Sequence, residues 1–443
     1  MAATETTGAE RDCLVVGGGL AGLACAQRLA VAGRSVLVLE AGEAPGGRAR
    51  TVWHRGRPVD MGFQVLFRAY PRTRQLVRDV GIPSRDLRPV AGGAVFVDEG
   101  RAVRLSGSRL GMAGFSGLGA ADRARLVRLG ASVAGRPAEA LLAQDADAES
   151  AEALLRASGV SDEAIERVLR PLFGVITLDR TLSADAGYFR FLLSMLVRGP
   201  AVIPSDGLGM VAEWTSAAVR QEGGEVELGA RATALETDGE GRRVVGVRLE
   251  DGRLLEARHV VLAVEGPAAR ALLEPLDPAS AGRLPRQYAS ALNAAFALRR
   301  PLYSGRSIVL NAEPGSPEVP RVDLLCQTSN ITRPGAPDGP HILLATSVTT
   351  GGEPPADLVG DVGALVRRWA PRYDWDGLAE PLGVYAHPHA QFRPLAGVRR
   401  DLPGPRTAVE NLVLAGDATT HPSIEGAVAS GVRAAEIVDA LTP

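Results

Sequence analysis

The first residues that could do chemistry are Gly17-Gly18-Gly19-Leu20-Ala21-Gly22. Gly17 permits a tight turn, Gly19 leaves room for a diphosphate at the backbone, and Gly22 lets a following helix pack close to a sheet. Free N–H groups and the positive end of a helix dipole would then hold the anion. Glu40 comes eighteen residues after Gly22, close to the spacing of a dinucleotide fingerprint. Its carboxylate can take two ribose hydroxyls and would repel a 2′-phosphate. By itself the pattern does not separate NAD from FAD. Six residues past Glu40, Gly46-Gly47-Arg48 could fold a loop back over the diphosphate, with the guanidinium offered to it. Near the other end of the chain, Gly416-Asp417 precede a loop and a helix. Asp417 can hydrogen-bond a sugar-alcohol chain. Ser423 is placed as an N-cap, and the helix start would stabilise an anion in front of it.

Strands and helices must position these groups. Residues 12–16 (DCLVV) and 35–39 (SVLVL) are continuous apolar runs, the pattern of strands covered on both faces. Between them Leu23, Ala26, Leu29 and Ala30 recur at helical spacing, and Gly33 ends the helix. Residues 411–415 read as another buried strand. A helix follows from Ile424, with Val428, Gly431, Val432, Ala435 and Val438 on one face. Two strand–glycine–helix units thus stand nearly four hundred residues apart. Residues 226–264 alternate short β-like runs with turns at Asp238-Gly239 and Asp251-Gly252, a meander. Residues 120–134, 148–158 and 161–169 have helical spacing. Residues 292–298, 307–310, 322–327 and 342–348 are strand-like. Around the third of these, Val322, Leu324 and Cys326 alternate with Arg321, Asp323 and Gln327, as on an exposed sheet face.

Composition narrows the classes. The 443 residues allow two to four domains. With 46% hydrophobic and 23% charged residues and a net charge of −2, a nucleic-acid partner and a disordered acidic tail are not expected. All 49 basic residues are Arg. The absence of Lys removes P-loop NTPases and Schiff-base enzymes in their usual form. Cys13, Cys25 and Cys326 cannot build a disulfide framework, which points to a reducing compartment. The N-terminus has no basic start and no apolar run. The longest helix-like apolar stretch, 191–197, falls far short of the ~20 residues needed to span a bilayer. The expectation is a soluble, cytoplasmic chain without a transmembrane segment.

A resemblance then becomes specific. The glycine unit, Gly46–Arg50 (GGRAR), Asp60–Phe67 (DMGFQVLF), Pro204–Met210, Val226–Leu228 with Ala232, His259–Val264 and Leu414–Val438 fall in family order over nearly the whole length. They resemble the FAD-dependent superfamily of flavin amine oxidases, protoporphyrinogen oxidases and phytoene-desaturase-like proteins. Arg170–Gly174 and Phe63–Leu66 are similar to a desaturase/isomerase-like branch. The resemblance implies an α/β fold: a discontinuous, glutathione-reductase-like Rossmann FAD-binding domain from 10–80, 200–285 and 395–443. An α+β substrate domain would come from a mostly helical insertion, 81–199, and a mixed-sheet one, 286–394. It implies non-covalent FAD held by Gly17, Gly19, Leu20, Ala21, Gly22, Glu40, Ala41, Gly47, Arg48, Gly62, Phe63, Gln64, Val65, Ala232, Gly416, Asp417, Ile424, Glu425, Gly426 and Ala427.

Flavin chemistry of this kind places a substrate C–H roughly 3–3.5 Å from the ring. Gln64 lies in the segment that passes the ring in the resembled family and is a candidate to orient a substrate group. His421, in the loop before the last helix, is a candidate for proton transfer. Tyr385, with His387 and His389, precedes a segment that often meets the substrate cavity in that family. The His-Pro-His pair lacks Cys or carboxylate neighbours, so no metal is expected. Two features depart from the family's amine oxidases. The lysine they use near the flavin is absent, and the residue before Ile424 is Ser423 rather than a caging aromatic. Both suit a larger, more lipophilic small molecule. The expected function is an FAD-dependent oxidoreductase acting on an amine, an amide or another secondary metabolite, with O2 or another electron acceptor. Desaturation or isomerisation of a polyene-like substrate is the alternative, and a flavin-binding scaffold without turnover is the alternative of another class. The oligomeric state is open, a homodimer included.

Overall fold

The computed structural model describes residues 11–62, 65–98, 100–105, 114–143, 149–313, 321–336, 338–349 and 356–442. One sheet forms from the most apolar runs. Strands Glu225–Leu228, Val36–Glu40, Arg11–Val16, Leu254–Leu262 and Leu412–Leu414 lie side by side in that order, all parallel. Val244–Leu249 and Ala232–Thr237 extend the sheet antiparallel from Leu254–Leu262, as the meander predicts. Both faces of the parallel part are covered, which is why these strands read as unbroken apolar runs. On one face Cys13, Val15, Val38 and Val261 pack with Cys25, Leu29, Val219 and Val438 of three helices. On the other, Leu14, Leu37, Val260 and Leu414 pack with Val247, Leu273 and Ala281.

The two chain ends meet here. Helix Leu20–Val31 follows the first strand, and helix Ile424–Leu441 follows the last. They approach to backbone contact: a Cβ on Gly431 would overlap the carbonyl oxygen of Ala21. Arg34 Nε donates to Asp439 Oδ1 at 2.8 Å across the same seam. At the glycine turn, Gly17 has φ +110°, and a Cβ there would lie 2.7 Å from Ala263 O at the end of the central strand. A Cβ on Gly22 would overlap Gly17 O, so the helix can start this close to the sheet only with glycine at both positions.

A second sheet runs in the order Ala379–Phe392, Tyr288–Leu298, His341–Thr349, Leu324–Cys326, Ser307–Asn311, Gly93–Asp98, Arg101–Leu105. Helices Ala120–Ala134, Ala151–Ala157, Arg170–Thr177 and Ala186–Arg198 supply Leu126, Leu155, Phe173 and Phe191 to one face. Helix Leu358–Trp369 supplies Val362 and Leu365 to the other. The insertion 81–199 carries strands as well as its helices. Strands Gly93–Asp98 and Arg101–Leu105 pair antiparallel, and the first pairs in parallel with Ser307–Asn311 and completes the second sheet. The stretch 321–327 is not an exposed face. Leu324–Cys326 lies between two other strands, and the helical layer brings Arg180 onto Asp323 with bonds of 2.6 and 2.5 Å. Gln327 is buried, its Oε1 accepting from Leu302 N at 2.7 Å. Among the described residues no helix is long and apolar enough to cross a membrane.

The Gly431–Ala21 seam generates a stability prediction. Gly431→Val should lower the unfolding free energy by roughly 2–4 kcal/mol, because the added atoms meet backbone that cannot move aside. Gly282→Ala, where a Cβ meets nothing within 4 Å, should change it little. Denaturant unfolding of both variants checks the contrast.

Candidate active site

A cavity of about 1060 Å³ is lined by residues from both sheets. At the first sheet its wall is the glycine turn. Glu40 Oε2 accepts from Gly18 N, and Glu40 Oε1 from Gly42 N, each at 2.7 Å. Gly46 N donates to Gly18 O at 2.8 Å, so the second glycine pair folds back over the first. The helix Leu20–Val31 starts at Gly19 without a side-chain cap, and a Cβ on Gly19 would meet nothing within 4 Å. Uncapped N–H groups therefore face open space at the positive end of a helix, the environment a diphosphate needs. The turn, Glu40 and Ala232 together fit an adenine dinucleotide.

The second helix start lies on the same cavity. Ser423 Oγ accepts from Gly426 N at 3.0 Å, the expected cap. Gly416, at φ +120°, donates its N–H to Ser430 Oγ at 2.8 Å and turns the chain toward Asp417. Arg48 does not stand free for the diphosphate. Its Nη2 donates to Asp417 Oδ1 and its Nη1 to Ala390 O, both at 2.9 Å. The pairing with Asp417 holds the guanidinium above its ordinary pKa, against the opposing effect of burial. This ion pair ties the N-terminal loop to the C-terminal one beside the cavity.

Most of the residues singled out from sequence come together here. Gly17, Gly19, Leu20, Ala21, Glu40, Ala41, Gly47, Arg48, Gly62, Val65, Ala232, Gly416, Asp417, Ile424 and Ala427 all line the cavity. Gly22, Glu425 and Gly426 do not. Gly22 and Gly426 serve close backbone packing, since a Cβ on Gly426 would overlap His421 O. Glu425 turns away and accepts from Arg72 N, Thr73 N and Thr73 Oγ1 at 2.8–2.9 Å, holding the start of helix Pro71–Asp79. Phe63 and Gln64 lie outside the described residues.

His421 and Tyr385 are displaced as catalytic candidates. His421 is buried with its ring centroid 4.8 Å from that of Phe191, and its Nδ1 is 3.0 Å from Ser423 Oγ. Burial, with Arg399 nearby, pushes its pKa down to about 3, so the imidazole stays neutral. Tyr385 packs against a cluster of Val59, Ala295, Ile342 and Leu344. Neither lines the cavity. The wall instead presents His387, Gln391, Asn293 and Tyr188. His387 Nε2 lies 2.9 Å from Met61 O, beside Gly62. Gln391 Nε2 donates to Pro422 O and, at 3.2 Å, to Tyr188 Oη. Apart from the His-Pro-His pair, these groups carry no motif. They sit in ordinary strand or helix pattern, and no local signal marks them.

The fold and this site define an FAD-dependent oxidoreductase. The chain matches the flavin-containing amine oxidoreductase family over residues 20–439 and belongs to it. A hydroxyneurosporene desaturase of Rhodobacter capsulatus is 53% identical over 57 residues, 13% of this chain and 12% of that protein. A coproporphyrinogen III oxidase of Mycobacterium leprae is 28% identical over 172 residues, 37% of each chain. A solved oxidoreductase of Methanosarcina mazei shares the fold with a TM-score of 0.71 at 17% identity, covering 96% of this chain and 99% of its own. The segments shared with the desaturase and the coproporphyrinogen oxidase are well under two thirds of their lengths.

Asp417 links the cofactor site to the ion pair with Arg48. Asp417→Ala should weaken FAD retention about tenfold or more. The ratio of FAD to protein after dialysis measures this, and fully yellow dialysed protein would contradict the role.

Proposed function

We propose that this enzyme dehydrogenates a long lipophilic small molecule, in the manner of a desaturase. One observation carries the reading. Under the helical layer the cavity is walled by Leu126, Leu172, Phe173, Ile176, Leu193 and Leu196. The carboxylates among its described lining residues, Glu40, Glu265 and Asp417, all belong to the first-sheet side. An ammonium drawn in under the helices would lose its water with no counter-charge to meet it. An aliphatic chain gains about 0.8 kcal/mol for each methylene it buries there. The local similarity to a hydroxyneurosporene desaturase supports the same substrate class.

Bound FAD supplies a hydride acceptor. The walls do the rest. Close apolar packing holds the chain extended and excludes water, which fixes one C–H toward the ring. Dehydrogenation then releases a hydride from one carbon and a proton from its neighbour, leaving a double bond. Among the described lining residues His387 is the imidazole. Met61 O can only accept, so His387 Nε2 carries the hydrogen and Nδ1 keeps the lone pair that can take a proton. O2 or another acceptor completes the cycle.

The test is anaerobic mixing of the holoprotein with isoprenoids and with alkylamines of matched length. Isoprenoids should bleach the flavin absorbance and amines should not. Bleaching by the amines alone would overturn the reading, and conversion of the isoprenoid without bleaching would indicate an isomerase. Ala131 is an exposed lining residue. Ala131→Trp should raise KM for the isoprenoid about tenfold by narrowing the apolar part, with FAD content unchanged.

A further inference from the structure

Asn293 stands in the strand Tyr288–Leu298 on the cavity wall and is 1% exposed. Its Oδ1 accepts a hydrogen bond at 2.7 Å from Thr346 Oγ1 on the neighbouring strand. Among the described residues its Nδ2 has no hydrogen-bond partner. A buried amide donor left without an acceptor keeps the full penalty of losing its water. The Thr346 hydroxyl holds the carbonyl end of the amide against the sheet, which leaves the –NH2 as the free end. Other sheet residues on this wall, Ala291, Ile308, Leu310 and Leu324, have side chains that cannot accept a hydrogen bond. The sheet has thus placed a fixed, unsatisfied donor beside these apolar neighbours, with His387 and Gln391 of the adjoining strand Ala379–Phe392 as the other polar side chains of the sheet on this wall.

We infer that Asn293 determines specificity by donating its Nδ2 hydrogen bond to an oxygen of the lipophilic substrate: a hydroxyl, ether or carbonyl oxygen. The inference rests on the reading of the apolar cavity as the substrate site. It adds a chemical requirement to that reading. A pure hydrocarbon buries its chain equally well but leaves the Asn293 amide stranded, whereas an oxygenated one satisfies it. A site built to hydrogen-bond a substrate group discriminates against the analogue that lacks the group for this reason. The donor also fixes register. An oxygen held at Asn293 sets which carbon of a long, featureless chain lies over the ring.

The experiment titrates the oxidised holoprotein, without oxygen, with geranyl methyl ether, whose oxygen can only accept, and with the hydrocarbon that carries a methylene in place of that oxygen. Dissociation constants are read from the perturbation of the flavin absorbance. The quantity of interest is the ratio of the hydrocarbon's constant to the ether's. In Asn293→Leu and in Asn293→Asp this ratio should fall at least about fivefold from the wild-type value. FAD content and the spectrum without probe should stay unchanged. Asn293→Asp keeps the shape of the side chain and replaces its donor by an acceptor, so a fold disturbed by leucine does not remove the test. A ratio constant within about twofold across the three proteins would overturn the inference. Loss of FAD from the Asp variant would overturn it too, since the amide would then serve the cofactor. Failure of both probes to bind the wild type would remove the lipophile site itself, and the inference with it.

Discussion

The constraint on which the rest depends is the backbone contact between helices Leu20–Val31 and Ile424–Leu441. Their separation is set by the missing side chain of Gly431 against Ala21. At that spacing the two helix starts, Gly19–Ala21 and Ser423–Ile424, border one cavity. Each start carries a partial positive charge and free N–H groups. One borders the cavity at the glycine turn, and the other borders it beside Gly416 and Asp417. The Arg48–Asp417 ion pair spans the two halves beside that space. With the helices an ångström or two further apart, two weak anion sites would remain in place of one extended cofactor site.

From that frame the cavity divides into regions of opposite chemistry. The glycine turn side is polar, with Glu40 already held by two backbone amides and therefore pre-oriented. The side under the helices is built from leucine, isoleucine and phenylalanine. Its shape comes from the strands Gly93–Asp98 and Arg101–Leu105 and the helices Ala120–Ala134, Arg170–Thr177 and Ala186–Arg198, which close over the second sheet. Family membership accounts for the polar side. The apolar side carries the amide of Asn293 as a fixed polar point on its wall.

Legibility differed by kind of residue. Gly17, Gly19 and Glu40 could be read because a strained turn, a close approach and a ribose ligand each demand one residue type at one spacing. The buried strands could be read because about four apolar residues in a row, bounded by polar or turn residues, suit a strand with both faces covered. His421 was misleading: a histidine in a loop before a helix looks available, but Phe191, Tyr188 and Ser423 enclose it. Asp323 failed in the opposite sense, its alternating pattern suggesting a wet face that Arg180 and the helical layer in fact cover. Asn293 and Gln391 carried no signal, since their neighbours along the chain say nothing about which wall they join.

The sequence alone determined a dinucleotide site and the two strand–glycine–helix units, because these rest on local backbone requirements that only certain residues meet. Tertiary structure decided which side chains line the cavity. It set Asn293 against Thr346 from a separate strand, turned Glu425 away to hold another helix, and buried His421. Those outcomes depend on contacts between segments tens to hundreds of residues apart, and no local pattern encodes such distances.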